Sequence, residues 1–74
     1  MKDSSLQEDL GSAIRVRRAA LGFSQDTFAD SIGMHRAYYS KIERGEKNVT
    51  VETLRKVARG LGVKASQLLK DIGE

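Results

Sequence analysis

Cysteine, proline and tryptophan are absent from these 74 residues, and there is one histidine, His35. Without cysteine there is no disulfide framework and no thiolate metal site, which suits a reducing compartment. His35 has no companions at zinc-ligand spacing, so no metal is expected. Nor is there an acid pair spaced for general acid–base work, or a glycine-rich phosphate loop. An enzyme is therefore not expected, and neither a cofactor nor a small-molecule ligand is implied. No apolar run approaches the ~18 residues of a membrane span. The start, MKDSSLQEDL, has no apolar core of a signal peptide. No membrane partner is expected, and the location read from these absences is cytoplasmic. The lack of proline and the scarcity of β-branched runs favour an all-α chain. Its length allows one domain with a thin core and a stability of a few kcal/mol.

Positive charge is in modest excess, with 13 Lys and Arg against 10 Asp and Glu, for a net +3. Residues 1–9 carry a net −2, so the remainder carries +5. The basic excess thus belongs to the folded part, and a basic face is the electrostatic footprint of nucleic-acid binding.

Helical spacing of apolar residues organises the chain into five segments. Residues 1–5 are polar and are read as a disordered tail, with the domain spanning 6–74. A first helix is expected over 6–21, carrying Leu6, Leu10, Ala13, Ile14 and Leu21, and Gly22 stops it. Ser24 N-caps a second helix, with Asp26 in its first turn, running to about Ile32. A third runs from His35 or Arg36 to Arg44, and Gly45 ends it. After the polar loop 46–48, Thr50 caps a fourth helix with Val51, Leu54, Val57, Ala58 and Leu61 on its apolar face, ended by Gly62. The fifth spans Ala65 to Ile72. Gly22, Gly33, Gly45 and Gly62 all fall at helix ends, where a residue free to take positive φ is needed.

The stretch Gln25–Arg44, QDTFADSIGMHRAYYSKIER, carries the most information. Phe28 and Ile32 share one face of the second helix, and Ala29 is small enough for another helix to approach. Met34, Tyr39 and Ile42 form the apolar back of the third. What that helix leaves outward is Arg36, Ser40 and Arg44, four apart in turn, with Lys41 next to Ser40 and three before Arg44. A buried back and a front of Arg, Lys and Ser suit a polyanionic groove.

Ile14-Arg15, Arg18, Gly22-Phe23-Ser24-Gln25, Phe28-Ala29, Ile32-Gly33-Met34, Tyr38, Ser40-Lys41-Ile42-Glu43-Arg44-Gly45, Asn48, Thr53-Leu54 and Leu61-Gly62-Val63 together resemble the lambda repressor and Cro class, the XRE-type helix-turn-helix regulators. The resemblance covers residues 8–70. Within it, HRAYYSKIERGEKNVT is similar to the controller proteins of restriction–modification systems, and small phage repressors and antitoxins share the pattern.

The resemblance implies a compact five-helix bundle that binds double-stranded DNA as a homodimer, with helix three in the major groove. Two copies would read half-sites of a palindromic operator about 34–36 Å apart. Repression would follow from blocking RNA polymerase and activation from touching it. Base contacts are expected from Arg36, Ala37, Ser40, Lys41 and Arg44. Arg36 suits guanine O6 and N7, and Ala37 a thymine methyl or a spacer role against helix two. Arg44 could instead cap its own helix. Phosphate contacts are expected from Ser24, Gln25, His35, Tyr38, Lys47, Asn48 and Thr50, with Gln25 also able to brace helix three. Glu43 is implied to turn inward and pair with Arg18. Val49, Leu69 and Ile72 are the expected dimer contacts, since so small a chain cannot bury all its apolar side chains. Four positions depart from the pattern. Tyr39 stands where Ile or Val is usual, so its hydroxyl needs a partner. His35 and Lys64 replace Ser caps, and Val49 replaces a frequent Pro. The competing reading is an antitoxin or another protein-interaction module on the same fold.

Overall fold

The computed structural model describes the backbone of residues 3–74 and the side chains from Leu6 onward. Five helices run in order: α1 (Asp3–Ala20), α2 (Gln25–Ser31), α3 (Arg36–Glu43), α4 (Val51–Leu61) and α5 (Ala65–Asp71). Among the described residues there is no strand, and no helix is long and apolar enough to cross a membrane. Met1 and Lys2, part of the expected tail, lie outside the described residues. Residues 3–5 are helical, so α1 starts earlier than the apolar pattern does. A helix once nucleated extends cheaply through polar residues.

Local chemistry accounts for the ends. The Ser24 side chain accepts from Thr27 N–H at 3.1 Å while the Ser24 N–H donates to Thr27 Oγ1 at 3.1 Å, a reciprocal cap on α2. Thr50 Oγ1 accepts from Thr53 N–H at 3.1 Å and starts α4. His35 and Lys64 occupy N-cap positions without a side-chain cap bond, as expected of those residue types. Gly62 ends α4 in the left-handed region at φ 76°.

The core is built from Ile14, Phe28, Tyr39, Ile42, Val57 and Leu68, all essentially without solvent contact. Phe28 lies edge-on to Phe23 at 5.6 Å and tilted against Tyr39 at 5.3 Å, joining α2 to α3. Helix α1 backs α3, α4 and α5, which makes it the central support of the fold. A bidentate Arg17–Asp71 pair, with Nε–Oδ2 at 2.6 Å and Nη2–Oδ1 at 3.0 Å, ties α1 to α5.

Three residues expected on apolar stripes lie outside this core. Leu6 is 45% exposed, Leu21 54% and Val51 72%. All sit at or beyond helix ends, where periodicity continues but the neighbouring helices do not reach. The opposite surprise is Gly11, inside α1 and buried. A Cβ there would stand 2.5 Å from the carbonyl oxygens of both Ile42 and Glu43. Backbone atoms cannot move aside as a flexible side chain can, so α1 would have to lift off the end of α3. Gly11→Ala should therefore destabilise by about 1–3 kcal/mol as overpacking does, despite alanine's better helix propensity. Urea denaturation checks this, and a stabilised variant would show that the two helices can part at no cost.

Candidate nucleic-acid interface

Helices α2 and α3 are joined by a turn at Gly33, φ 68°, with Met34 N–H donating to Ala29 C=O at 2.9 Å. This fixes α3 across α2 and decides which of its faces is free. Tyr39, Ile42 and Glu43 are buried, Ser40 is half-buried, and Arg36, Ala37, Lys41 and Arg44 are exposed. Of the outward stripe expected from spacing, Arg36, Lys41 and Arg44 are thus exposed, whereas Ser40 is half-buried.

Glu43 anchors α3 from behind. Its Oε2 accepts Arg18 Nε at 2.7 Å and the Tyr39 hydroxyl at 2.5 Å, while Oε1 accepts Arg18 Nη2 at 3.1 Å and Gln25 Nε2 at 2.8 Å. Arg18 also donates from Nη1 to Phe23 C=O at 2.6 Å. The Glu43 side chain is 2% exposed and that of Arg18 11%. Burial alone would raise the carboxyl pKa. The hydrogen bonds from Arg18, Tyr39 and Gln25 outweigh it and hold Glu43 below its ordinary 4.5. Burial, then the bond to Glu43, push the Tyr39 phenol well above its ordinary 10.0. The inward turn of Glu43 toward Arg18 is thus present, and the partner that the Tyr39 hydroxyl needed is the same carboxylate.

The expected base-contacting residues share one surface, but two of them are not free. Arg36 Nη2 donates to Asp30 Oδ2 at 3.0 Å, and Nη1 lies 3.5 Å from Asp26 Oδ2. Arg44 bonds Ser40 Oγ at 2.8 Å and Glu46 at 3.0 and 3.3 Å. Among the described residues Lys41 has no carboxylate partner at ion-pair distance.

Of the expected phosphate contacts, Ser24 and Thr50 use their hydroxyls as helix caps, Gln25 braces Glu43, and Asn48 accepts a bond from Gln7. His35 is exposed and Lys47 lies 5.7 Å from the centre of the Tyr38 ring, a cation–π contact at the edge of the same surface. Of the expected dimer contacts, Val49 and Ile72 pack in part against the chain's own core, and Leu69 is 37% exposed. Val51, expected inside, is the most exposed large apolar side chain among those described.

Sequence reasoning missed Asp30 and Glu46, and gave Asp26 only a helix-dipole role. Glu46 stands two residues from Arg44, a short spacing that could have suggested the pair. Asp26 and Asp30 reach Arg36 only because the turn folds α3 back on α2, which spacing does not encode.

Comparison with known proteins agrees with this geometry. The helix-turn-helix family HTH_3 matches residues 14–68. The control protein C.MunI of a Mycoplasma species is 41% identical over 58 residues, 78% of each chain. The crystal structure of the clp gene regulator ClgR from C. glutamicum superposes with a TM-score of 0.86 at 34% identity, covering 90% of this chain and 86% of that one. The restriction–modification controller C.Esp1396I, solved as a tetramer with its natural 35 base-pair operator, gives a TM-score of 0.79 at 29% identity over 93% and 96% of the two chains.

Proposed function

The chain belongs to the HTH_3 helix-turn-helix family of DNA-binding transcriptional regulators, and from that premise we propose that it binds a palindromic operator as a homodimer, reading base edges with α3. The observation that carries this reading is the orientation of α3. Its back is locked by the Glu43–Arg18–Tyr39–Gln25 network, and its front presents Arg36, Ala37, Lys41 and Arg44 to solvent. A rigid back matters because base readout requires donors placed to a fraction of an ångström. Arg36, Lys41 and Arg44 are assigned to base edges, with Ala37 and Ser40 beside them. His35, Tyr38 and Lys47 are assigned to phosphates. One eight-residue helix reads too few base pairs for useful specificity, which favours two copies.

The similarity to control proteins supports a finer reading, that the chain controls genes of a restriction–modification system. On that reading its operator lies upstream of its own gene. An adjacent toxin gene would favour the antitoxin reading instead.

A binding-site selection from genomic fragments tests the proposal. It should return an inverted repeat with half-site centres about 34–36 Å apart on one face of the duplex. Affinity for that site should fall linearly with salt on logarithmic axes. A selected pool without a common sequence would overturn the reading.

A further inference from the structure

Each arginine on the outward face of α3 is held by carboxylates of its own chain. Asp26 and Asp30 of α2 hold Arg36, and Glu46 of the following loop holds Arg44. These side chains are 53–61% exposed. Solvent-accessible pairs of this kind are weak and exchange readily. Together with Lys41 the six side chains sum to zero charge, although the surface is read as facing a polyanion.

Building on the reading that α3 enters the major groove, we propose that Asp26, Asp30 and Glu46 set its specificity by occupying the recognition arginines until a matching base edge displaces them. A backbone phosphate can also take an arginine through two oxygens. That exchange trades one anionic partner for another and leaves the displaced carboxylate unpaired beside the polyanionic backbone, where like charge opposes it. Guanine O6 and N7 offer two aligned acceptors within the groove and replace the bonds that Arg36 gives up. The internal pairs therefore subtract more from binding to arbitrary duplex than from binding to the correct site. Asp26 and Asp30 act through Arg36, and Glu46 through Arg44, so they are positioning residues and need not touch DNA.

The test compares Asp30→Asn with the wild type on the selected operator and on a scrambled duplex of equal length, across a salt series. Binding to the scrambled duplex should tighten roughly two- to fivefold for each protomer, the worth of one exposed ion pair, and its salt slope should steepen by up to about one for each protomer. Operator affinity should change less, so the ratio of the two affinities falls. In an Arg36→Ala background, Asp30→Asn should leave that ratio unchanged. Two results would overturn the inference while the wild type still prefers its operator: a ratio unaffected by Asp30→Asn, or an equal fall when Arg36 is absent, which marks plain repulsion from the backbone. A wild type without preference would remove the groove reading, and this inference with it.

Discussion

Glu43→Ala should cost the domain about 3–5 kcal/mol, the penalty of breaking a buried charge pair and stranding its partner. Arg18 would keep its charge beside the core with only Phe23 C=O to satisfy it, and the fully buried Tyr39 would lose the acceptor of its hydroxyl. Small domains have roughly 0.05–0.15 kcal/mol of stability per residue, so a loss of this size takes a large share of the whole. At about 4–8 °C per kcal/mol, Tm should fall by more than about 10 °C in thermal denaturation followed by circular dichroism. A fall of a degree or two would mean that the network orients α3 without stabilising it.

The same group predicts a pH dependence of known sign. The folded-state pKa of Glu43 lies below its ordinary 4.5, so its contribution is present above about pH 4.5 and is lost as pH falls below that value. The Tyr39 shift runs upward from 10.0, so its contribution holds below pH 10 and is lost above it. Glu43→Gln should flatten the acid limb of the stability curve. It should not abolish it, because Glu46 and Asp71, bonded to Arg44 and Arg17, also titrate below their ordinary values.

Arg36→Ala should do the reverse, leaving the fold intact and erasing discrimination at one base pair in each half-site. A bidentate arginine–guanine contact discriminates by roughly 5- to 150-fold against the wrong base, and in a dimer the loss enters twice. Arg36 is 59% exposed and contributes nothing to the core, so Tm should hardly move. Repeating the selection with the variant checks the prediction. The consensus should degenerate at one position per half-site and persist elsewhere, whereas an unchanged consensus would remove Arg36 from the base-reading set.

What could be read from the sequence follows the range of the interactions involved. Ser24 and Thr50 cap helices through bonds three residues away, and Gly33 and Gly62 turn the chain by their own φ, so local pattern sufficed for these. Tyr39 and Ile42, three apart, announced the buried back of α3 in the same way. The pairing of Glu43 with Arg18 spans 25 positions and no periodicity links them. It was legible only through resemblance to the lambda repressor and Cro class. Gly11 went unread because its role lies in what α3 leaves no room for, and an isolated glycine in a helical pattern does not reveal its neighbour. Val51 matched the apolar stripe of α4 but sits on its first turn, past the helices that cover Leu54. The acids that hold Arg36 escaped notice because the turn at Gly33 creates that proximity.

Methylation protection on the selected operator addresses the central claim most directly. Dimethyl sulfate methylates guanine N7 in the major groove and adenine N3 in the minor groove, so it reports which groove α3 occupies. The wild type should shield guanine N7 in two half-sites on one face of the duplex, and Arg36→Ala should unshield one guanine in each. Guanine N7 left fully reactive on a saturated operator would contradict the account.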